Sequence, residues 1–117
     1  MFRVIIAGGR LFDDYTYLKD SMDYLLQNVK DEITVVCGKA RGADTLGERY
    51  AEERGYAVHY FPADWDRYGK SAGHIRNEEM AKNADALVAF WDGKSRGTKD
   101  MIKLARQYGL RVRVKNY

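Results

Sequence analysis

Five short apolar runs punctuate the chain, and amphipathic stretches separate them. The runs are Val4–Ala7, Ile33–Cys37, Val58–Phe61, Ala86–Phe90 and Val112–Val114. The middle runs lack polar alternation, as expected of strands covered on both faces. The last reads Arg111-Val112-Arg113-Val114-Lys115, a strict alternation that suits an edge strand with one wet face. Between the runs, Tyr15, Leu18, Met22, Leu25, Leu26 and Val29 recur at three and four residues, predicting a helix. Ala43, Leu46, Gly47, Tyr50 and Ala51 predict a second, with Gly55 as its C-terminal stop. Met101, Leu104, Ala105 and Tyr108 predict another, stopped by Gly109, and residues 73–83 a shorter one. The repeated β-α order predicts an α/β fold: one Rossmann-like, three-layer domain over residues 1–117, with a mostly parallel sheet of about five strands.

In an open parallel sheet, ligands bind beyond the carboxyl ends of the strands, so the turns after each strand carry the candidate chemistry. Gly8-Gly9-Arg10 follows the first run. Its glycines let the backbone turn and approach a ligand, and Arg10 adds a forked cation suited to phosphate. The second run leads into Gly38-Lys39-Ala40-Arg41-Gly42-Ala43-Asp44, two glycines and two cations before a helix N-terminus that favours anions. Asp44 reads either as the cap of that helix or as an acceptor for ribose hydroxyls. Beyond the fourth run, Asp92, Gly93, Ser95, Gly97 and Thr98 crowd one turn with Lys94 and Arg96, and Thr98 competes between capping the helix and binding phosphate. A P-loop is excluded, because Val88 stands where the motif needs glycine.

Residues 62–77 form the longest non-periodic stretch and read as a long loop. It mixes Trp65 and Tyr68, which could stack on a base, with Lys70, Arg76 and Asn77. Asp13, Asp14, Asp64, Asp66 and Asp92 leave room for a magnesium ion accompanying a nucleotide, although their spacing demands none. Two histidines, His59 and His74, are too few for a histidine metal site, and no resident metal is expected.

Charge and composition narrow the classes. With 20 basic and 17 acidic residues the chain carries +3, far from a polybasic protein. The excess lies between Lys99 and Lys115, six basic residues against one acid, which reads first as a solvated face and second as a surface for nucleic acid. A single cysteine, Cys37, excludes an internal disulfide and reads as a buried small hydrophobe. The chain opens directly on a strand-like segment, with no leader and no membrane-length apolar run, so a cytoplasmic protein is expected.

These loops, taken together, resemble the SLOG superfamily, in particular its YspA-like branch. The resemblance rests on Gly8-Gly9-Arg10 with Phe12 and Asp14, the Gly38–Asp44 segment, Pro62-Ala63-Asp64-Trp65, the Gly69–Gly73 segment with Arg76, Asn77 and Met80, and Phe90-Trp91-Asp92-Gly93 with Ser95, Gly97 and Thr98. It implies a Rossmann-like fold and a nucleotide-derived ligand held by these loops. Some members of the superfamily are enzymes on nucleotides, others sense nucleotide signals, and one relative handles single-stranded DNA. Its phosphoribohydrolases pair an arginine and a methionine four residues later with a glycine-rich loop ending in threonine, and place a glutamate three residues beyond. Arg76 and Met80 match the first part; Gly93, Gly97 and Thr98 resemble the second; Met101 stands in the glutamate's place.

The leading reading is therefore a nucleotide-binding module, a sensor or sequestering protein. The alternatives are an N-glycosidase acting on nucleoside monophosphates and a single-stranded nucleic-acid binder. Whether the protein is an enzyme stays open, and pairing of two copies through a helix face is compatible with a domain of this kind.

Overall fold

A run such as Val4–Ala7 has no wet face, so it needs cover above and below, and a βαβ winding supplies it. The computed structural model describes residues 1–117. In chain order it contains β1 (Phe2–Gly8), α1 (Tyr15–Leu26), β2 (Ile33–Cys37), α2 (Ala43–Arg54) and β3 (Ala57–Tyr60). There follow α3 (Trp65–Tyr68), a 3-10 turn (Gly69–Ser71), α4 (Ala72–Lys82), β4 (Ala86–Trp91), α5 (Arg96–Gln107) and β5 (Arg111–Asn116). The five strands form one sheet in the order β3-β2-β1-β4-β5, with every pair parallel. No helix is long and apolar enough to cross a membrane.

Alternate residues of each central strand feed opposite cores. Val4, Ile6, Val35, Val88 and Phe90 pack under α1 and α2, with Leu18, Met22 and Tyr50. Ile5, Ala7, Val36, Leu87 and Ala89 pack under α4 and α5, with Met80, Met101 and Leu104. Gly55 ends α2 in the left-handed conformation, and its amide reaches back to the Ala51 and Glu52 carbonyls. Cys37 is buried, and burial pushes its thiol up to about 11.

Three sequence expectations are corrected. The Val58–Phe61 run belongs to β3, a mostly exposed edge strand rather than a covered one. Which strand becomes an edge depends on where the order reverses, which run composition does not encode. Helix α1 stops at Leu26; Val29 lies in the following turn but still packs on the core. Residues 62–77 are not a long loop: Asp64 accepts from the Arg67 amide at 3.1 Å and starts α3, and the chain continues through the 3-10 turn into α4. A one-turn helix with no buried residue has no periodicity to betray it.

Tyr50 is fully buried, and its hydroxyl donates to Asp23 at 2.7 Å, where Arg54 also binds at 2.6 Å. Replacing Tyr50 by Phe removes one bond while Asp23 keeps its arginine. The expected loss is about 1 kcal/mol, read as a lower midpoint in urea denaturation with an unchanged slope.

Candidate functional site

The chain winds outward from β1 to β2 and β3, then crosses back to lay down β4 and β5, so the loops after β1 and β4 diverge. Between them lies a cleft of about 930 Å³. Its walls are Gly8–Leu11 after β1, Gly38–Arg41 with Asp44 after β2, Pro62, Ala63 and Trp65 after β3, and Asp92 with Ser95–Thr98 after β4. Arg76, Asn77 and Met80 of α4, Met101 of α5 and Tyr117 complete it. Tyr68 and Lys94 lie outside this cleft, and of the other candidate ligand-binding residues all but Gly42, Lys70 and Gly93 line it.

Those three have other places. Gly42, at φ +73°, lies against the β1–α1 loop, where a Cβ would fall on the Gly9 carbonyl; the Ala43 amide donates to that carbonyl at 3.2 Å. Gly93, at φ +83°, turns the β4–α5 loop, and the Asp92 carboxylate accepts from the Lys94 amide at 2.8 Å and the Ser95 amide at 2.9 Å. Lys70 sits exposed in the 3-10 turn, outside the cleft. Ser95, not Thr98, caps α5: its hydroxyl accepts from the Thr98 amide at 3.4 Å and pairs with the buried Thr98 hydroxyl at 3.0 Å. Gly97 has ordinary helical backbone and open space where a Cβ would stand, so no unusual angle requires glycine there.

The cations fall into two groups. None of the salt bridges involves Arg10, Arg41 or Arg96, and all three are exposed at the cleft. Lys39 holds a left-handed backbone at φ +59°, and its ammonium is engaged by Glu48 at 3.3 Å, 4.7 Å above the Tyr60 ring. Arg76 is tied into the fold. It is half-buried and donates to the Gly38 carbonyl and, at 3.0 Å, to Asn77 Oδ1. Burial draws its pKa down, Asp44 holds it up and the nearby Arg10 charge lowers it again. Asn77 passes the connection to α5, donating to the Gly97 carbonyl at 3.3 Å and to Asp100 at 3.0 Å.

The carboxylates do not converge. Asp14 accepts from the Tyr17 amide at 3.0 Å, Asp64 caps α3 and Asp92 folds its own loop. No three His, Cys, Asp or Glu side chains come together as a metal-binding group. Asp44 stands apart. It does not cap α2, whose N-cap is Gly42; its Oδ2 turns back to the Ala40 amide at 3.1 Å. Burial pushes its carboxyl above the usual range, against the bond from Ala40 and the charge of Arg76.

Sequence reasoning missed Leu11 and Tyr117, and named Arg96 only as one of the cations of its turn. Leu11 is 93% exposed at the rim, on a loop anchored by Phe12, whose ring lies 5.0 Å from Phe90 and 4.7 Å from Tyr117. Arg96 adjoined residues already singled out and shares their turn. Tyr117 carried no local signal; parallel pairing brings it in, its amide donating to the Trp91 carbonyl at 3.3 Å.

The position of Asp44 has a measurable cost. Its folded pKa exceeds its unfolded one, so the native state retains the proton to higher pH. Stability contributed by this group is then lost as pH rises from the ordinary carboxylate value through the raised one. Asp44→Asn keeps the acceptor for Ala40 without the buried charge. The variant is expected to melt higher than wild type at neutral pH and to lose that advantage below about pH 4, as followed by thermal denaturation across pH.

A profile described as YAcAr, the YspA, cpYpsA-related SLOG family, matches residues 2–68, which include the loops after β1, β2 and β3. The chain is 37% identical over 118 residues to the Gene 61 protein of Mycobacterium phage D29, across 96% of this chain and 94% of that one. Among solved structures it is similar to DNA processing protein A (DprA) from Streptococcus pneumoniae, with a TM-score of 0.70 and 17% identity. That match covers 97% of this chain and 49% of DprA, so the chain spans about half of that protein's length; at such identity it speaks for the shared fold. The loops that build the cleft and the order in which they occur thus have a family to go with them, and the chain belongs to the YspA, cpYpsA-related SLOG family.

Proposed function

We propose that the cleft binds a nucleotide or a nucleotide-derived small molecule, and that the protein acts as a sensor or sequestering module for it. The observation that carries this reading is the set of unpaired arginines, Arg10, Arg41 and Arg96, around one opening. Arg96 opens α5, whose amide end favours an anion, and the Arg10 backbone lies against Gly42, the N-cap of α2. No carboxylate closes on these cations, since Asp92 is satisfied by backbone amides and Asp44 lies deeper. Trp65 and Tyr117, each about half exposed, offer stacking surfaces for a base.

The basic C-terminal stretch supports a strand-binding reading less well. Lys99, Lys103 and Arg106 lie exposed on α5, whereas Arg111 and Arg113 emerge on the other face of the sheet, beside Leu25 and Val29 of the α1 region. The charges are split between two faces, and none of these five lines the cleft.

Freshly purified protein should release a phosphorylated small molecule on denaturation, identified by mass spectrometry. Titration calorimetry with that molecule should then show Arg10→Ala and Arg96→Ala weakening binding by about 1.5–3 kcal/mol each, with unchanged melting temperatures. Affinity should fall shallowly with salt; a steep log-linear fall for single-stranded DNA instead would favour the strand-binding reading. Indifference of every nucleotide to both arginines would overturn the proposal.

We also expect no turnover of nucleoside monophosphates. Glycosidic cleavage develops oxocarbenium-like charge that carboxylates stabilise. Met101, in the glutamate's place, is 1% exposed and packs with Leu104 and Ala105. Its neighbour Asp100 is turned to α4, where His74 meets it at 2.8 Å and Asn77 at 3.0 Å. Chromatography after incubation with the four common monophosphates should show no free base; turnover near roughly 1 per second would contradict the reading.

A further inference from the structure

The side chain least explained by folding is Asp44. It is only 6% exposed, on the first turn of α2. Oδ2 is bound by the Ala40 amide, whereas no donor of the protein reaches Oδ1. No sealed side-chain oxygen or nitrogen in the molecule lacks a partner, so Oδ1 is not sealed: it meets the cleft that Asp44 lines. Arg76 does not neutralise the carboxylate by a salt bridge, because its guanidinium is directed to the Gly38 carbonyl and to Asn77. Gly38 separates the two groups; a Cβ there would stand 2.8 Å from Arg76 Nη1 and 2.9 Å from Asp44 Oδ2.

A carboxylate oxygen only accepts, so its complement is a donor, and a phosphate is repelled from it. The strand order says which donor. Asp44 sits above β2, with the Arg10 loop above β1 and the Arg96 loop above β4 on one side, and Trp65 after β3 on the other. Neighbouring strands lie about 4.8 Å apart, so the strands that carry cation, carboxylate and aromatic ring on their following loops succeed one another a few ångströms apart. Phosphate, sugar and base follow one another in the same order in a nucleotide.

We infer that Asp44 reads the sugar: its free oxygen accepts a ribose hydroxyl, and the ligand is a ribonucleotide-type molecule rather than a deoxy one. The inference rests on the nucleotide reading of the cleft and adds to it the class of sugar. A site that buries an acceptor for a hydroxyl discriminates strongly against the analogue lacking it, because the acceptor is then left unpaired. An exocyclic amine of a base could donate to the same oxygen, but discrimination would then follow the base and ignore the sugar.

The test is calorimetry of the full chain with the four 5′-ribonucleoside monophosphates, their 2′-deoxy and 3′-deoxy counterparts, and inorganic phosphate. Wild type should bind its best ribonucleotide on the order of 10- to 100-fold more tightly than at least one of the matching deoxy forms. In Asp44→Asn that ratio should fall to about 2-fold or less, while inorganic phosphate binds as before and Arg10→Ala still weakens every probe. Equal binding of ribo and deoxy forms by wild type overturns the inference alone and leaves the phosphate site standing. So does a sugar preference that survives in Asp44→Asn. Failure of every nucleotide and of phosphate to bind overturns both readings. If Asp44→Asn does not fold, the wild-type comparison of ribo and deoxy forms still decides.

Discussion

Parallel strands need cover on both faces, and most of this molecule follows from that requirement. Each strand must be followed by a crossover that returns the chain to the same end of the sheet, and each crossover carries a helix to one face or the other. With α1 and α2 on one side and α4 and α5 on the other, the two halves of the sheet are wound in opposite directions from β1 and β4. The cleft lies where they part. Its depth depends on close contacts among backbones: the Gly9 amide donates to the Phe90 carbonyl at 3.2 Å, the Gly9 carbonyl accepts from Ala43, and Gly42 presses on the same loop. These contacts join β1, β4 and α2 into one rim.

On that rim the charges are arranged against folding rather than for it. Arg10 and Arg76 are near enough for one to lower the pKa of the other, and Arg76 is itself desolvated. Asp44 is buried with one oxygen unanswered, yet its carboxyl is displaced in the direction that costs stability at neutral pH. Elsewhere the molecule satisfies its charges in the ordinary way, as in the Asp23, Tyr50 and Arg54 cluster between α1 and α2. Groups whose protonation is shifted, gathered in one cleft beside unpaired cations, are what a ligand would balance.

The same contrast separates residues that touch the cleft from residues that only hold it open. Arg76 and Asn77 line the cleft, but their hydrogen bonds run to Gly38, Gly97 and Asp100, tying α4 to the loops after β2 and β4. Removing either would loosen the walls as well as change the surface, so loss of binding in such variants says little about contact with a ligand. Arg10 and Arg96 have no such internal duties and are the cleaner probes.

Periodicity alone determined the order of the five strands and of α1, α2, α4 and α5, with helix stops at Gly55 and Gly109, because the α/β alternation writes itself into runs and amphipathic faces. Turn composition was enough to identify Arg10, Arg41 and Asp44 as residues beyond strand ends, because glycine, cation and cap chemistry are local. What the tertiary structure alone decided is relational. That β3 is an edge follows from the strand order and not from its own residues. The short α3 has no period, so the segment from Pro62 to Asn77 reads as loop although only its first residues are. Tyr117 enters the cleft only because β5 pairs in register with β4. Whether an arginine is free, like Arg96, or committed, like Arg76, depends on which carbonyl lies across the fold from it, and no spacing along the chain records that distance.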